Sequence, residues 1–301
     1  MPRLLNGRSC MGVGSTGVSV DDALVIPGAG SPGWVSPTQL VCNGADAGNA
    51  VLELPPEGPP TTLWTPGADL VKAGAGTIAA GLTNVGTRLR NDATPQPYTE
   101  IATLLPLDVD RVTGTALLYN QQLGTGFGLC YPTNPGTEPF PWIDTGPLYS
   151  ARIIGGIVCW AQGTAAGISA AGFNLNIGEP VPIETWVTNI QDPLLLPNVR
   201  SSGDTWIVYC DRETGTLYAH PASDKNWGFS LPAGLYFGLD AEVGAGLLVA
   251  SCVNQGESAG SLRTDLFDLQ RLQLLRAPVV APTLPKMQHA VSTGVFFPSR
   301  E

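Results

Sequence analysis

Short apolar runs, separated by polar turns that contain glycine, recur along most of this chain. The clearest example is residues 203–221. Residues 206–210 are β-branched or aromatic with a final cysteine, residues 211–215 (Asp-Arg-Glu-Thr-Gly) form a turn, and residues 216–219 resume an extended strand. A single hairpin of this kind leaves its apolar faces in water. The pattern therefore predicts several hairpins that stack on one another.

The apolar centres of these runs recur at a regular interval. They are 37, 39, 41, 50 and 41 residues apart, and they are Val41, Ile78, Leu117, Val158, Val208 and Val249. A period near 40 residues without helical periodicity is typical of four-stranded units, the blades of a β-propeller. We therefore predict an all-β fold, a six-bladed β-propeller of four-stranded blades with extended N- and C-terminal arms. A β-sandwich or two smaller β domains are the alternative, because evenly spaced short strands also occur there.

The six predicted blades cover residues 27–276. Their approximate bounds are 27–68, 69–106, 107–147, 148–190, 191–233 and 234–276. Residues 1–26 contain one clear strand, 23–26, and form an N-terminal arm or a ring-closing strand. Residues 277–301 are apolar and interrupted by prolines, which disfavour a central strand, so they form a C-terminal arm unless 292–297 closes the ring. The terminus that does not close the ring is expected to bind a partner.

Composition and charge narrow the class of protein. The 37 Gly and 27 Pro are spread along the chain, as expected for many turns, and a hydrophobic content of 43% is enough for a buried core. Only 13% of residues are charged and the net charge is −10, which argues against nucleic-acid binding and anionic membranes. The N-terminus lacks an apolar signal region. We expect a soluble protein made in the cytoplasm without an export signal and without a membrane partner.

Four of the six cysteines, Cys42, Cys159, Cys210 and Cys252, occupy matching positions in successive repeats. Matching positions lie too far apart for a disulfide, so we predict buried free thiols. No Cys-x-x-Cys pair and no Cys/His cluster is present, which predicts no zinc site, and no cofactor is expected. The pairs Asp21-Asp22 and Asp108-Val-Asp110 lack the other ligands of a calcium loop and are interpreted as turn residues.

Catalytic motifs are scarce in the sequence. The two histidines, His220 and His289, are interpreted as surface or packing residues, and neither Gly-x-Ser-x-Gly nor a phosphate-binding loop occurs. A propeller glycosidase would leave no linear motif, because its carboxylates come from separate inner strands. The candidate carboxylates, which fall on opposite sides of the predicted ring, are Asp108, Asp110, Asp240 and Glu242. We therefore expect no catalytic site and keep glycoside hydrolysis as a third hypothesis.

A polar cluster is predicted where the inner strands line the central tunnel. Its members are Lys72, Arg111, Arg152, Arg200, Asp240 and Glu242. Lys72, Arg111 and Arg152 each precede the core centre of their repeat by six residues, so they would converge on the tunnel. The four basic residues could together hold an anion. The preferred interpretation is that they pair with the two carboxylates and so satisfy a narrow polar channel.

The chain lacks the motifs of several propeller families: the Trp-Asp dipeptide, the recurring Gly-Gly of kelch repeats (only Gly155-Gly156 occurs) and the Ser-x-Asp-x-Gly-x-x-Trp box of sialidases. Over residues 27–276 it resembles the motif-free propellers of bacteriophage tail nozzle and tail hub proteins. That resemblance implies a structural component of the virion tail, which assembles with copies of itself and with other structural proteins through its rim and arms. The alternative is a propeller that binds carbohydrate or another ligand, for which Trp142, Trp160 or Trp186 would have to line shallow pockets.

Overall fold

The computed structural model describes these residues: 2–5, 8–12, 17–20, 24–27, 29–44, 49–56, 58–90, 99–120, 122–131, 142–181, 194–196, 205–210, 217–224, 228–230, 237–244, 247–253, 262–268, 273–281, 287–290 and 295–298. The regular elements within these ranges are β-strands, as the sequence predicts. In this part of the chain, no helix is long and apolar enough to cross a membrane.

The first twelve strands form three sheets of four strands each, with neighbours in chain order. The first sheet contains β1 (Pro2–Leu5), β2 (Arg8–Gly12), β3 (Gly17–Val20) and β4 (Leu24–Pro27). The second contains β5 (Ala29–Ser36), β6 (Gln39–Gly44), β7 (Asn49–Glu53) and β8 (Thr61–Trp64). The third contains β9 (Leu70–Gly74), β10 (Thr77–Leu82), β11 (Gly86–Arg90) and β12 (Thr99–Ala102).

The next seven strands neighbour one another in chain order, and the longest of them is the 13-residue strand β16. They are β13 (Leu104–Val109), β14 (Ala116–Asn120), β15 (Thr125–Cys130), β16 (Trp142–Ile154), β17 (Ile157–Thr164), β18 (Gly167–Asn174) and β19 (Glu179–Pro180).

The last ten strands form two four-stranded sheets and a hairpin. One sheet contains β20 (Leu194–Leu196), β21 (Trp206–Cys210), β22 (Leu217–Pro221) and β23 (Phe229–Ser230). The other contains β24 (Phe237–Gly244), β25 (Leu247–Val253), β26 (Leu262–Asp268) and β27 (Gln273–Ala281). The hairpin consists of β28 (Met287–Ala290) and β29 (Val295–Pro298). For the predicted hairpin at residues 203–221, the antiparallel pairing of β21 with β22 confirms the two strands, and its turn at 211–215 lies outside the described residues.

The chain separates into two compact units. The first comprises Arg3–Leu148 and Arg152–Gly156, and the second comprises Tyr149–Ala151 and Ile157–Glu301, together with Pro2. Both units contain predicted core centres. Those with described side chains are at most 1% exposed, and they are Val41, Ile78 and Leu117 in the first unit and Val158 and Val208 in the second. The sixth centre, Val249, lies in β25, and its side chain is outside the described part.

Sheets of the first unit pack face to face, because their central strands are apolar on both sides. In β10, Ile78 and Ala80 join a buried cluster with residues of β5–β7, whereas Ala79 joins a cluster with residues of β13–β15. This alternation follows from the two-residue period of a strand. The small residues of β10 permit the close approach, since a Cβ atom at Gly81 would clash with Pro106 of β13.

The N-terminal residues form more structure than the sequence analysis expected. Where one strand was expected, in an arm or a ring-closing segment, strands β1–β4 form a four-stranded sheet between Pro2 and Pro27. The repeat pattern missed this sheet because its second strand, Arg-Ser-Cys-Met-Gly, lacks the apolar centre that marks the others. This sheet lies outside the six predicted blades, so the number of six blades remains a prediction.

The C-terminal residues also form strands where an arm was expected from residue 277. Strand β27 runs across that boundary and pairs with β26, for example Val279 with Thr264 and Val280 with Arg263. The pairing shifts register next to Pro278, and β27 is the last strand of its sheet, a position in which proline is tolerated. The predicted strand at 292–297 overlaps β29, whose pairing partner is β28.

Candidate functional site

Asp110, one residue after β13, is a carboxylate with no exposed surface, and its two oxygens accept four hydrogen bonds. Within its own turn, Oδ1 accepts the Val112 amide (2.8 Å) and Oδ2 accepts the Thr113 hydroxyl (2.8 Å). From the turn that follows β16, Oδ1 accepts the Gly155 amide and Oδ2 accepts the Gly156 amide, each at 3.0 Å. We call this arrangement the carboxylate clasp. It joins two turns that are 45 residues apart in the chain.

The turn that donates to Asp110 depends on its two glycines. Gly155 has φ of 57° and Gly156 has φ of 79°, values that glycine adopts at little cost and other residues adopt rarely. Successive backbone amides that point to one side form a concave binding site for an anion. Asp110 fills that site, so the chain supplies its own anion.

Asp108 makes a further contact with the same segment. Its Oδ2 accepts the amide of Ile153 at 3.0 Å. Side chains two residues apart on a strand point to the same side, which is why Asp108 and Asp110 reach the same neighbour. A register shift between Pro106 and Asp108 marks a bulge just before them. The sequence analysis interpreted Asp108-Val-Asp110 as turn residues, whereas Asp108 lies in β13 and Asp110 directly precedes the turn.

Three of the six predicted tunnel-lining residues have described side chains. Lys72 lies in β9 opposite Ala79, Arg111 follows Asp110, and Arg152 lies near the end of β16. All three are half-buried, and each interacts with other groups. A Cβ atom at Gly74 would lie 2.9 Å from the Asp110 carbonyl oxygen and 3.0 Å from Arg111 Cα, so the end of β9 meets this turn.

The other three predicted members of the polar cluster lie outside the described side chains. Arg200 is outside the described residues altogether. Asp240 and Glu242 are placed by their backbone in β24, opposite Ser251 and Val249. Their pairing with the basic residues therefore stays a prediction.

The clasp determines what the described inner carboxylates can do chemically. A general acid or base needs an oxygen that can approach a substrate, and both oxygens of Asp110 are occupied away from solvent. One oxygen of Asp108 is bound to the backbone. Among the described residues, no group of three or more His, Cys, Asp or Glu side chains could hold a metal ion. The contacts of the clasp are those of a structural element that joins neighbouring segments.

The three cysteines whose side chains are described are buried and free, as predicted for two of them. Cys42 and Cys159 are confirmed as free thiols in β6 and β17, and Cys130 of β15 is a third. Burial raises the pKa of the Cys42 thiol to about 12, and it raises the pKa of Cys130 and Cys159 as well. Such thiols are poor nucleophiles at neutral pH. The side chains of Cys210 and Cys252 lie outside the described part.

Two buried polar residues have surroundings that the sequence analysis did not anticipate. Arg90 is 2% exposed, and its guanidinium carbon lies 4.7 Å from the centre of the Trp64 ring, a cation–π contact. His220 is also buried, its Nδ1 donates to the carbonyl of Pro221 (2.7 Å), and its ring meets the Tyr209 ring edge-on. His220 is thus a packing residue. The arginine at the end of β11 gave no sequence signal of burial.

The tryptophans proposed to line a ligand pocket differ in exposure. Trp160 is buried, and its indole Nε1 donates to Gln162 Oε1 at 3.0 Å. Trp142 is 37% exposed, and its ring packs over Gly126, where a Cβ atom would lie 2.7 Å from the indole nitrogen. Trp186 lies outside the described residues.

Solved structures of known proteins share this architecture. No protein-family model and no curated protein matches the sequence. The chain is similar to Hsv2 of Kluyveromyces lactis, with 10% identity, a TM-score of 0.55 and coverage of 91% of this chain and 95% of that chain. It is also similar to BamB of Moraxella catarrhalis, with 11% identity, a TM-score of 0.55 and coverage of 93% and 87%.

A third similar structure is apo AztD of Citrobacter koseri, with 9% identity, a TM-score of 0.54 and coverage of 91% of this chain and 80% of that chain. At these identities the likeness concerns the fold alone. The similar structures are of β-propeller type, and the regular elements of the described residues are strands. The fold of this chain is therefore an all-β β-propeller.

Proposed function

We propose that this chain is a non-catalytic, structural β-propeller that assembles with copies of itself and with other structural proteins. The observation that carries the proposal is the carboxylate clasp, in which both oxygens of Asp110 accept hydrogen bonds from backbone and side-chain donors. Asp108, the other described carboxylate weighed as a glycosidase residue, is also bound to the backbone. Carboxylates used in this way stabilise the fold and do not turn over a substrate.

In this proposal, the contacts with partners lie on exposed turns. The sequence analysis assigned them also to terminal arms, but in those segments the strands β1–β4 and β27 belong to sheets. Large apolar side chains remain exposed at several turns, among them Val85, Val112 and Leu123. Exposed apolar side chains of this size are typical of surfaces that bind other proteins when they lie close together.

Sedimentation velocity of the full chain at increasing concentration tests assembly. We expect species larger than the monomer, with a fraction that rises with concentration, because self-association follows mass action. A single monomeric boundary at every concentration, in a sample whose circular dichroism shows a folded β protein, would contradict self-assembly.

The proposed setting is a virion, specifically a bacteriophage tail, as the sequence resemblance implies. Antibodies raised against the chain test this setting in particles purified from the host that encodes it. Labelling at one defined place on the tail is expected. If purified particles do not contain the chain, the virion setting is wrong, whatever the result for self-assembly.

Carbohydrate binding is the second candidate function, and the observation that favours it is the partly exposed side chain of Trp142. An aromatic ring with one open face can stack on the apolar face of a sugar. A glycan array would then show binding that Trp142→Ala abolishes and Trp160→Phe retains, since Trp160 is buried. Absence of binding to every glycan, or binding that Trp142→Ala leaves unchanged, would remove this candidate.

A further inference from the structure

Three exposed segments of the first unit meet at one end of the sheets β9–β12 and β13–β16. They are residues 83–85, 102–103 and 122–124, and we call them the turn surface. The Thr103 amide donates to the Val85 carbonyl (3.0 Å), and the Thr87 hydroxyl donates to the Leu104 carbonyl (2.7 Å). These bonds join the turn between β10 and β11 to the start of β13.

The third segment is joined to the same place through strand pairing. Leu104 is the register partner of Asn120, the last residue of β14. The side-chain oxygen of Asn120 accepts the amides of Gln122 (2.9 Å) and Leu123 (3.3 Å), and its carbonyl accepts the amide of Gly124 (3.0 Å). The turns that carry Val85 and Leu123 therefore belong to one continuous hydrogen-bonded surface.

The turn surface presents two large apolar side chains to solvent. Val85 is 62% exposed and Leu123 is 66% exposed. The backbone around them adopts a left-handed conformation that is unfavourable in free energy. Asn84 and Thr103 have φ of 63° and 62°, and this region is rare for a β-branched residue such as threonine. The hydrogen-bonded backbone of these turns therefore holds the two exposed apolar side chains, which we call the apolar tips, in place.

Charge indicates what could cover these tips. The described residues of the turn surface are Thr83, Asn84, Val85, Ala102, Thr103, Gln122, Leu123 and Gly124, and none of them is charged. At its border, the Asp69 carboxylate accepts the Thr83 amide at 2.8 Å. The whole chain carries a net charge of −10. Two copies of an acidic protein repel each other least where neither presents charge, whereas a basic partner would be drawn to the acidic surface elsewhere.

We propose that the turn surface is a contact between copies of this chain, a step that rests on the assembly proposed above. The apolar tips Val85 and Leu123 would be buried against a neighbouring copy. Uncharged polar residues around them would form the rim of the contact. This composition, an apolar centre with a polar rim, is that of protein interfaces.

The test compares two double variants with the same added charge. Val85→Asp/Leu123→Asp changes the turn surface, and Ala165→Asp/Ile177→Asp changes exposed residues of two other turns. In sedimentation velocity, at a concentration where the native chain associates, we expect the first variant to be monomeric and the second to associate like the native chain. Circular dichroism melts of both variants establish that each is folded.

The outcomes separate the two proposals. If the native chain associates and Val85→Asp/Leu123→Asp associates equally well, the turn surface is not the contact, although assembly stands. If the native chain is monomeric throughout, the self-assembly fails and this inference fails with it. Should the aspartate variant not fold, Val85→Ser/Leu123→Ser replaces it, with association expected to weaken at least about tenfold. Unchanged association of that serine variant would overturn the proposal.

Discussion

Two turns of the first unit use the same local device with different results. Asp110 Oδ1 accepts the amide two residues ahead, Val112, and Asn120 Oδ1 accepts the amide two residues ahead, Gln122. Asp110 also accepts two amides from a distant turn and is fully buried, whereas the Asn120 side-chain oxygen accepts amides of its own exposed turn. The comparison shows that a short polar side chain that accepts the amide two residues ahead can either join neighbouring segments or shape an exposed turn. It joins segments where donors from elsewhere in the chain also reach it.

Replacing each of these two side chains, Asp110 and Asn120, by alanine is the sharpest way to test this difference. Asp110→Ala removes a fully buried carboxylate that accepts four hydrogen bonds, and at roughly 1 kcal/mol for each bond we expect the free energy of unfolding to fall by about 4 kcal/mol. Asn120→Ala leaves donors that water can reach, and we expect a loss of about 1 kcal/mol. Urea denaturation of both variants measures the two values. Equal losses would mean that the distant amides contribute nothing.

Apolar side chains provide a second contrast, between burial and exposure. Trp206 is 2% exposed, so Trp206→Ala should cost about 3–5 kcal/mol of unfolding free energy. Leu123→Ala removes an exposed side chain and should change stability by less than about 0.5 kcal/mol. Thermal melts at a concentration low enough to prevent association compare them. A large loss for Leu123→Ala would show that this side chain packs within its own chain.

Two glycines near the turn surface separate steric clash from backbone strain. Both have positive φ, 141° at Gly86 and 66° at Gly124. A Cβ atom at Gly86 would overlap the carbonyl oxygen of Ile101, whereas nothing lies within 4 Å of a Cβ atom at Gly124. We expect Gly124→Ala to cost about 1 kcal/mol and Gly86→Ala to cost clearly more. Similar costs in denaturant titrations would contradict the close pairing of β11 with β12.

The smallest expected effect on stability near neutral pH comes from the buried thiols. The folded-state pKa of Cys42, about 12, lies above its ordinary value of 9.0, so the folded chain holds this proton more tightly than the unfolded chain does. The stabilisation is complete below pH 9 and is lost as the pH rises through 12. At pH 8 a thiol reagent should react slowly with the native chain and rapidly in denaturant, as mass spectrometry of Cys42, Cys130 and Cys159 would record. Rapid native labelling of these three would show that they are not buried.

The strands could largely be predicted from the sequence, because their signal is local. An apolar run such as residues 39–42 or 206–210 must be buried on both sides, and a glycine-bearing turn must follow it. The N-terminal sheet was missed because its second strand, Arg8–Gly12, lacks the apolar centre that marks the other sheets. The C-terminal strand was taken for an arm because its proline lies at a register shift that only the pairing reveals.

The clasp could not be predicted, because the carboxylate and the glycine turn that it binds lie far apart in the sequence. Asp108-Val-Asp110 and Gly155-Gly156 are each visible in the sequence, but their contact depends on how neighbouring segments pack. The exposure of the apolar residues in the turn surface does have a signal in the sequence. In Asn84-Val85-Gly86 and Gln122-Leu123-Gly124, a large apolar residue stands between a polar residue and a turn glycine, where burial is not expected. Such residues mark candidate contact sites.

Hydrogen exchange of single amides, followed by nuclear magnetic resonance, compares the two turns in one measurement. The amides of Gly155 and Gly156 donate to the buried Asp110 carboxylate, whereas those of Gln122 and Leu123 donate to the exposed turn of Asn120. We expect the glycine amides to exchange as slowly as the amides of the buried strand β14, and the amides of Gln122 and Leu123 to exchange far faster. Exchange of Gly155 and Gly156 as fast as that of Gln122 would contradict the clasp, and with it the structural role assigned to Asp110.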